Sequence, residues 1–142
     1  MDIKEIEQHI ITSHLLHGLT DDEVKNIIEQ GLIAQFLKDK VIFYQGSIGS
    51  QVYLILNGSI GICQDNKEIS RLGEGEIIGE MALLTKQPRS ATAKALENSY
   101  VLIFTATTFE KLLNRKVAVR LLLNILDILC ERLKITNQSI SI

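Results

Sequence analysis

Residues 52–64, VYLILNGSIGICQ, decide the fold class of this chain. Two runs of β-branched and other apolar residues, 52–56 and 59–64, stand on either side of Asn57-Gly58. An Asn-Gly pair between two such runs is the strongest short-range signal for a two-residue β-hairpin turn, in which both positions need a positive φ. The stretch therefore predicts two antiparallel strands joined by a tight turn.

The same pattern of short β-prone runs separated by turn residues extends through residues 32–104. Short β-prone runs occupy residues 32–37, 41–44, 52–56, 59–64, 69–72, 91–96 and 100–104, with turn residues between them. Many short strands separated by close turns favour an antiparallel barrel or jelly roll over a parallel sheet. The expected fold class is mainly β with flanking helices (α+β), an antiparallel eight-stranded jelly-roll β-barrel over residues 32–104.

Helical patterns flank this region on both sides. Thr20 and Glu23 have the spacing of a capping box at the start of a helix that ends near Gly31. Helices are predicted over residues 2–17, 20–30, 107–114 and 116–136. No repeat, low-complexity segment or linker interrupts the chain, so residues 1–142 are expected to form a single domain.

Composition and charge argue against several classes of function. The net charge of −2 gives no general attraction to nucleic acid or to an anionic membrane, and no long apolar run or N-terminal signal predicts a membrane segment. Cys63 and Cys130 have no metal-site spacing and are expected to be thiols in a reducing cytoplasm. All three histidines precede the β region, which disfavours a jelly-roll metalloenzyme. We therefore expect a cytoplasmic domain without a metal and without a catalytic motif.

Residues 73–92, GEGEIIGEMALLTKQPRSAT, carry the signal for function. Their three glycines allow sharp turns and a close approach of the backbone to a ligand. Residues 81–84 are compatible with a short helix, whose first N–H groups favour an anion. Arg89 stands between Pro88 and Ala91 and is expected to be partly buried, and a buried guanidinium needs an anionic partner.

A single phosphodiester suits these groups. Arg89 can bind it bidentately, and the Ser90 hydroxyl with helix-start N–H groups can complete the contact. A carboxylate would repel the phosphate, so Glu80 is assigned to sugar hydroxyls. Arginine for phosphate and glutamate for ribose describe a small nucleotide. A solvated Arg–Glu salt bridge across a glycine-rich turn fits the same residue types and remains open at this point.

The same residues resemble a known family. Residues 79–84, GEMALL, and 88–92, PRSAT, are similar to the phosphate-binding cassette of the cyclic nucleotide-binding domain family, and the spacing from Glu80 to Arg89 matches without a gap. The resemblance covers roughly residues 15–135. It implies a domain that binds a 3′,5′-cyclic nucleotide, has a regulatory role, and uses no cofactor.

The resemblance also implies a role for each cassette residue. Glu80 is expected to bind the ribose 2′-hydroxyl, and Arg89 and Ser90 the phosphate oxygens. The remaining cassette residues of the expected site are Gly79, Met81, Ala82 and Ala91, where Gly79 permits close approach and backbone N–H groups near Ala82 and Ala91 reach the phosphate.

Two positions depart from the family pattern. Ile78 stands where Phe is frequent, and no aromatic residue follows Phe109 to stack on the base. Base contacts are therefore expected from aliphatic or polar residues near the chain end, with Leu129, Arg132 and Asn137 as candidates.

The expected ligand is cAMP, with cGMP as the alternative. A hydroxyl after the cassette arginine reaches guanine in some cGMP-selective relatives, whereas bacterial cAMP receptors place Ser there against the phosphate, so Ser90 fits both. A second alternative is an interaction module of the same fold without a ligand, although the intact Glu80/Arg89 pair favours binding. The chain stops six residues after Thr136, without a helix-turn-helix, so no nucleic-acid partner is expected. The expected partner is an effector protein whose identity the sequence does not give.

Two apolar stripes on the last helix predict a homodimer. One stripe steps by four, three and four residues, as in a short coiled-coil seam, and comprises Leu122, Leu126, Leu129 and Leu133. A neighbouring stripe that can pack on the barrel comprises Leu121, Ile125 and Ile128. Because the barrel covers only one stripe, the other is expected to meet a second copy, unless other helices of the same chain cover it.

Overall fold

Eight strands and two helices form the described part of the molecule. The computed structural model describes residues 5, 16–81, 85–105, 107 and 115–139, without the side chains of residues 115, 116, 118 and 136–139. Helix α1 is Asp21–Gln30 and helix α2 is Arg115–Ser139. The strands are β1 Leu32–Phe36, β2 Val41–Phe43, β3 Gln51–Asn57, β4 Ser59–Gln64, β5 Lys67–Gly73, β6 Ile77–Ile78, β7 Thr92–Ala95 and β8 Ser99–Thr105. The helices predicted over residues 2–17 and 107–114 lie almost wholly outside the described residues.

Helix α1 begins where the sequence predicts. Thr20 Oγ1 accepts a hydrogen bond from the Glu23 N–H at 3.2 Å, and Glu23 Oε1 accepts one from the Thr20 N–H at 2.9 Å. This reciprocal capping box satisfies N–H groups that have no partner inside the helix. The buried face of the helix comprises Val24, Ile27 and Ile28, and Gly31 follows its last residue.

The strands form two four-stranded antiparallel sheets. The helix-side sheet has the order β1-β8-β3-β6 and the outer sheet the order β2-β7-β4-β5. Eight antiparallel strands in two sheets are the arrangement of a double-sheet jelly roll, which confirms the mainly β prediction. No strand pairing in the described ranges joins one sheet to the other, so closure into a barrel is not confirmed.

Asn57-Gly58 is not a hairpin turn, and that prediction is wrong. Strands β3 and β4 lie in different sheets, so the chain crosses between sheets at this point. Only Gly58 has a positive φ, 107°, and a Cβ there would overlap the side chain of Ser99. The two-residue hairpin lies instead at Asp65-Asn66, with φ values of 52° and 66°, between β4 and β5.

Two apolar cores lie on opposite faces of the helix-side sheet. The inter-sheet core contains Tyr53 and Ile55 of β3 together with residues of the outer sheet. The helix-side core contains Leu54 and Leu56 of β3 with residues of α1 and α2. Because side chains alternate along a strand, β3 is buried on both faces, which explains its unbroken apolar run.

Helix α2 packs on the helix-side core along one stripe. Leu121 and Ile125 are 1% exposed and Ile128 packs partly buried beside them, as the sequence predicts. Asn124 is also buried, and its Nδ2 donates to the carbonyl of His17 at 2.9 Å. Neither helix within the described ranges has the length and apolarity needed to cross a membrane.

Candidate functional site

A cavity of about 250 Å³ brings most of the predicted site residues together. Its lining includes Gly79, Glu80, Met81, Arg89, Ser90 and Ala91 from the cassette and Arg132 from α2. Protein pockets for small molecules are commonly about 300–1,000 Å³, so this cavity suits a compact ligand. Ala82 and the side chain of Asn137 lie outside the described residues. Leu129 does not line the cavity and packs against the helix-side core.

Arg89 is a buried cation without an acidic partner in the described ranges. Only 9% of the residue is exposed. Its Nη2 donates to the Gln51 carbonyl at 2.8 Å and its Nη1 to the Gly79 carbonyl at 3.4 Å. Its Nε is buried and has no hydrogen-bond partner in the described part of the chain. A buried guanidinium in this state favours the approach of an anion.

Burial acts on the titration of Arg89 and of its neighbour Tyr53. Burial lowers the pKa of Arg89, while Tyr53 and Glu80 act in the opposite direction. Burial likewise raises the pKa of Tyr53, against the influence of Arg89. The Tyr53 hydroxyl donates to Gln51 Oε1 at 2.7 Å. The charge on Arg89 is therefore poorly solvated, and an anion in the cavity would stabilise it.

Gly79 lets its part of the cassette main chain lie close to the Arg89 guanidinium. Its φ is 78°, a left-handed conformation that glycine adopts without strain. A Cβ at this position would lie 2.6 Å from Arg89 Nη1 and 2.8 Å from the Gln51 carbonyl oxygen. Any side chain here would therefore push the guanidinium away from its carbonyl partners.

Glu80 lies at the same cavity but pairs with α2. It is 6% exposed, and its Oε1 accepts a hydrogen bond from Arg132 Nη1. Arg132 Nη2 also donates to the Ile77 carbonyl at 2.9 Å. The alternative of a solvated Arg89–Glu80 salt bridge is thus wrong, because both residues are buried and each has other partners. The cavity is therefore lined by a carboxylate that pairs with α2 and by a guanidinium that has no acidic partner in the described ranges.

Main-chain hydrogen bonds join Arg89, which precedes strand β7, to the loop between β2 and β3. The Arg89 N–H donates to the Ser47 carbonyl at 2.8 Å, and the Gly46 N–H donates to the Arg89 carbonyl at 2.8 Å. On the other side, Gln64 Nε2 donates to the Ser90 carbonyl at 3.0 Å. These contacts fix the backbone and leave the Ser90 side chain exposed at the cavity.

The sequence model of the cyclic nucleotide-binding domain family matches residues 33–116. This chain belongs to the cyclic nucleotide-binding domain family. The resemblance found in the cassette is therefore confirmed, and the matched range includes every cassette residue of the cavity.

Known proteins agree with this assignment. The chain is 32% identical over 108 residues to the cyclic AMP receptor protein of Thermus thermophilus, a match that covers 72% of this chain and 50% of the relative. A crystal structure of the Thermus thermophilus catabolite activator protein is 28% identical, with a TM-score of 0.78 over 91% of this chain and 62% of that one. A cyclic nucleotide-binding domain from Methylobacillus flagellatus KT is 22% identical, with a TM-score of 0.83 over 96% and 81% of the two chains. The chain thus spans about half the length of the curated relative.

The cavity is also lined by residues that sequence analysis missed. Ile62 of β4 and Leu72 of β5 give the cavity an apolar wall, and Phe43 of β2 lines it near Arg89. The alternation of Ile60 and Ile62 in β4 was the available signal for that wall. The carbonyl of Gln51 left no signal, because every residue has one. No three His, Cys, Asp or Glu side chains in the described ranges are grouped so as to hold a metal.

Proposed function

We propose that this chain is a regulatory sensor domain that binds cAMP in the 250 Å³ cavity and catalyses no reaction. Arg89 binds the exocyclic phosphate oxygens together with the Ser90 hydroxyl, and Glu80 accepts a hydrogen bond from the ribose 2′-hydroxyl. The observation that carries this proposal is the state of Arg89, which is buried, has no acidic partner in the described ranges and keeps one N–H without any partner.

The remaining contents of the cavity also suit a nucleotide. A cyclic nucleotide presents one anion and one free ribose hydroxyl, which match one guanidinium and one carboxylate. Ile62 and Leu72 offer an apolar surface on which a base can lie. The name of the Thermus thermophilus relative, a cyclic AMP receptor protein, supports cAMP as the ligand. Arg132 borders the same space and remains a candidate for contact with the base or the ribose.

Binding is coupled to α2 through Glu80. The carboxylate that accepts from the ribose also accepts from Arg132 in this structure. A ribose hydroxyl that binds Glu80 therefore shares the carboxylate with Arg132 or displaces Arg132, so the ligand acts on the residue that joins α2 to the cassette. A ligand that prefers one position of α2 shifts the population toward it, which gives the sensor its output.

We further propose that α2 forms a homodimer seam. Three residues of the predicted stripe are exposed, Leu122 at 46%, Leu126 at 55% and Leu133 at 61%, while Leu121 on the neighbouring stripe is buried. The spacing of four, three and four is that of a short coiled coil, so a second copy of α2 is the matching occupant. Because α2 also carries Arg132, the ligand site and this seam lie on one element.

Thermal unfolding with and without cAMP tests the binding proposal. At free cAMP a hundredfold above the dissociation constant, the free energy of unfolding should rise by about 2.7 kcal/mol and the melting temperature with it. Adenosine, which has the same base and sugar but no phosphate, serves as the matched control and should give a much smaller increase. A melting temperature unaffected by cAMP would favour the ligand-free interaction module instead.

Competition calorimetry with cAMP and cGMP tests the choice of base. We expect cAMP to bind more tightly, because the Thermus thermophilus relative is a cyclic AMP receptor protein and the Ser90 hydroxyl at the cavity is assigned to the phosphate. A tenfold preference for cGMP would overturn this assignment while leaving the phosphate and ribose contacts in place.

A further inference from the structure

We infer that Phe43 is the positioning residue of Arg89, and that its ring stabilises the guanidinium where a carboxylate would otherwise do so. The inference rests on the proposed function, since it concerns how the phosphate-binding arginine is held before the ligand arrives. The Arg89 guanidinium carbon lies 4.3 Å from the centroid of the Phe43 ring. A cation at this distance over an aromatic face is attracted by the negative face of the ring.

Arg89 lies at the boundary between two cavities, so its side chain has to be held in place to stay at the ligand cavity. It lines the 250 Å³ ligand cavity and also a second cavity of about 460 Å³ on the side of the β2–β3 loop. Phe43 lines both cavities as well. A long side chain with space on both sides needs a fixed neighbour to keep its head group at the ligand.

The neighbourhood of Arg89 leaves no place for an acidic partner on the loop side. Gly49 lies against the guanidinium, so that a Cβ there would be only 3.0 Å from Nη2. The next residue, Ser50, carries no charge. The nearby acid on the cassette, Glu80, pairs with Arg132. Within the described residues, the guanidinium therefore contacts two carbonyls and the Phe43 ring, while Tyr53 and Glu80 act on its charge without a hydrogen bond to it.

This arrangement keeps hydrogen-bond donors for a phosphate. A guanidinium has five N–H donors in one plane. Two of them go to the Gly79 and Gln51 carbonyls, and the Phe43 ring, centred 4.3 Å from the guanidinium carbon, has no oxygen or nitrogen that would accept another. A carboxylate in the same place would occupy the N–H edge and compete with the ligand. Stabilisation through the ring thus leaves three of the five N–H groups without a hydrogen bond in the described part of the chain.

The position of Phe43 is itself fixed by packing. It belongs to β2 and pairs with Ala93 of β7, the strand that follows directly after the cassette. Its ring also packs against Tyr53 of β3, with 5.8 Å between the ring centroids and an angle of 39° between the planes. Phe43 is therefore held between both sheets at the level of Arg89.

The first test needs no ligand. The Arg89 Nε–H resonance is recorded by NMR in the full chain and assigned by its loss in Arg89→Lys. We expect Phe43→Leu to shift this resonance, because the ring current of Phe43 disappears. The control is Phe36→Leu, which makes the same change in a residue packed on the same inter-sheet core. A resonance that responds equally to both substitutions, or to neither, would overturn the inference.

The second test measures affinity. Phe43→Leu should weaken cAMP binding by roughly three- to thirtyfold and weaken adenosine binding clearly less, because adenosine has no phosphate for Arg89. Phe43→Tyr, which keeps the ring, should retain nearly normal affinity. Equal losses for cAMP and adenosine would indicate a structural role for Phe43 and contradict the inference.

A third test replaces the Phe43 ring by fluorinated rings of nearly the same shape, so that a change in affinity cannot come from misfolding. Successive fluorine atoms weaken the negative face of the ring at nearly constant shape, so cAMP affinity should fall step by step with fluorine number. An affinity independent of fluorination would contradict the inference. If wild-type protein binds no cAMP, the proposed function fails, whereas the Nε–H resonance still decides the position of Phe43.

Discussion

Single residues at the cavity show how a cation is buried without an acidic partner in the described ranges. Arg89 has lost most of its contact with water, which lowers its pKa, and it keeps one N–H without a partner in the described ranges. Burying an incompletely satisfied cation costs free energy of folding, and an anion that binds there recovers part of that cost. Gly79 is required beside it, since a Cβ would collide with the guanidinium.

Glu80 should act on the sugar and not on the phosphate. Glu80→Gln keeps an acceptor but loses the charge, so cAMP binding should weaken by about 1.5–3 kcal/mol. The same variant should discriminate less between cAMP and 2′-deoxy-cAMP than the wild-type protein does. Calorimetry with both ligands measures the two effects.

Glu76→Gln is the matched control for this substitution. Glu76 accepts a hydrogen bond from the Gly73 N–H at 2.7 Å and does not line the ligand cavity, so its loss should leave the preference for the ribose unchanged. Equal affinity of the wild-type protein for cAMP and 2′-deoxy-cAMP would show that the role given to Glu80 is wrong.

At the scale of elements, the turn at Asp65-Asn66 and the predicted turn at Asn57-Gly58 differ in backbone conformation. Asn66 has a φ of 66° in the hairpin between β4 and β5, whereas Asn57 ends β3 in extended conformation. Asn66→Gly should raise the free energy of unfolding by about 0.5 kcal/mol, because glycine adopts the left-handed region without strain. Asn57→Gly should lower it by roughly 0.5–1 kcal/mol, because glycine in a strand only adds flexibility to the unfolded chain. Urea denaturation of both variants measures the signs, and a stabilising Asn57→Gly would contradict the assignment of the hairpin.

Sequence alone predicts the elements that carry local signals. The capping box of Thr20 and Glu23 places the start of α1, and seven β-prone runs fall within one or two residues of seven observed strands. Strand β6 was missed, because two residues, Ile77–Ile78, are too few to show any period. The hairpin prediction at Asn57-Gly58 was wrong because an Asn-Gly pair in the sequence does not show which strands pair. Gly58 is needed there for a single positive φ, and β3 and β4 lie in different sheets.

Of the candidate site, the sequence predicts mainly the residues that stand together in the cassette. Residues 79–91 stand together in the sequence, so the cavity could be anticipated from them. Phe43 and Gln51 reach Arg89 from other strands, and Arg132 reaches Glu80 from a helix 52 residues away in sequence. Contacts of this kind depend on strand order, which the spacing of strands along the chain does not determine.

At the scale of the whole molecule, α2 connects the core, the site and the surface. One stripe of the helix packs on the helix-side core, Arg132 contacts the cassette, and a third face exposes leucines to water. A shift of this helix on ligand binding would therefore be felt at all three places. Hydrogen exchange in residues 121–133 should change when cAMP is added, and exchange that ignores the ligand would contradict the coupling.

The exposed leucines should mediate dimer formation. Leu126→Glu places a charge in the centre of the proposed seam and should convert a dimer into a monomer, as measured by light scattering over a range of protein concentrations. Leu123→Glu is the matched control, because Leu123 is 51% exposed but lies off the stripe. A wild-type protein that is monomeric at high concentration, with and without cAMP, would refute the seam.

The affinity of Arg89→Ala for cAMP tests the central claim most directly. Removing the guanidinium leaves the phosphate in the cavity without its charged partner, a loss of about 2–5 kcal/mol by analogy with breaking a buried charge pair. Calorimetry should therefore show binding weakened by two orders of magnitude or more in a variant that remains folded. Arg71→Ala, which removes an exposed arginine paired with Glu68 on β5, should bind like the wild-type protein. Near-normal affinity in Arg89→Ala would contradict the account.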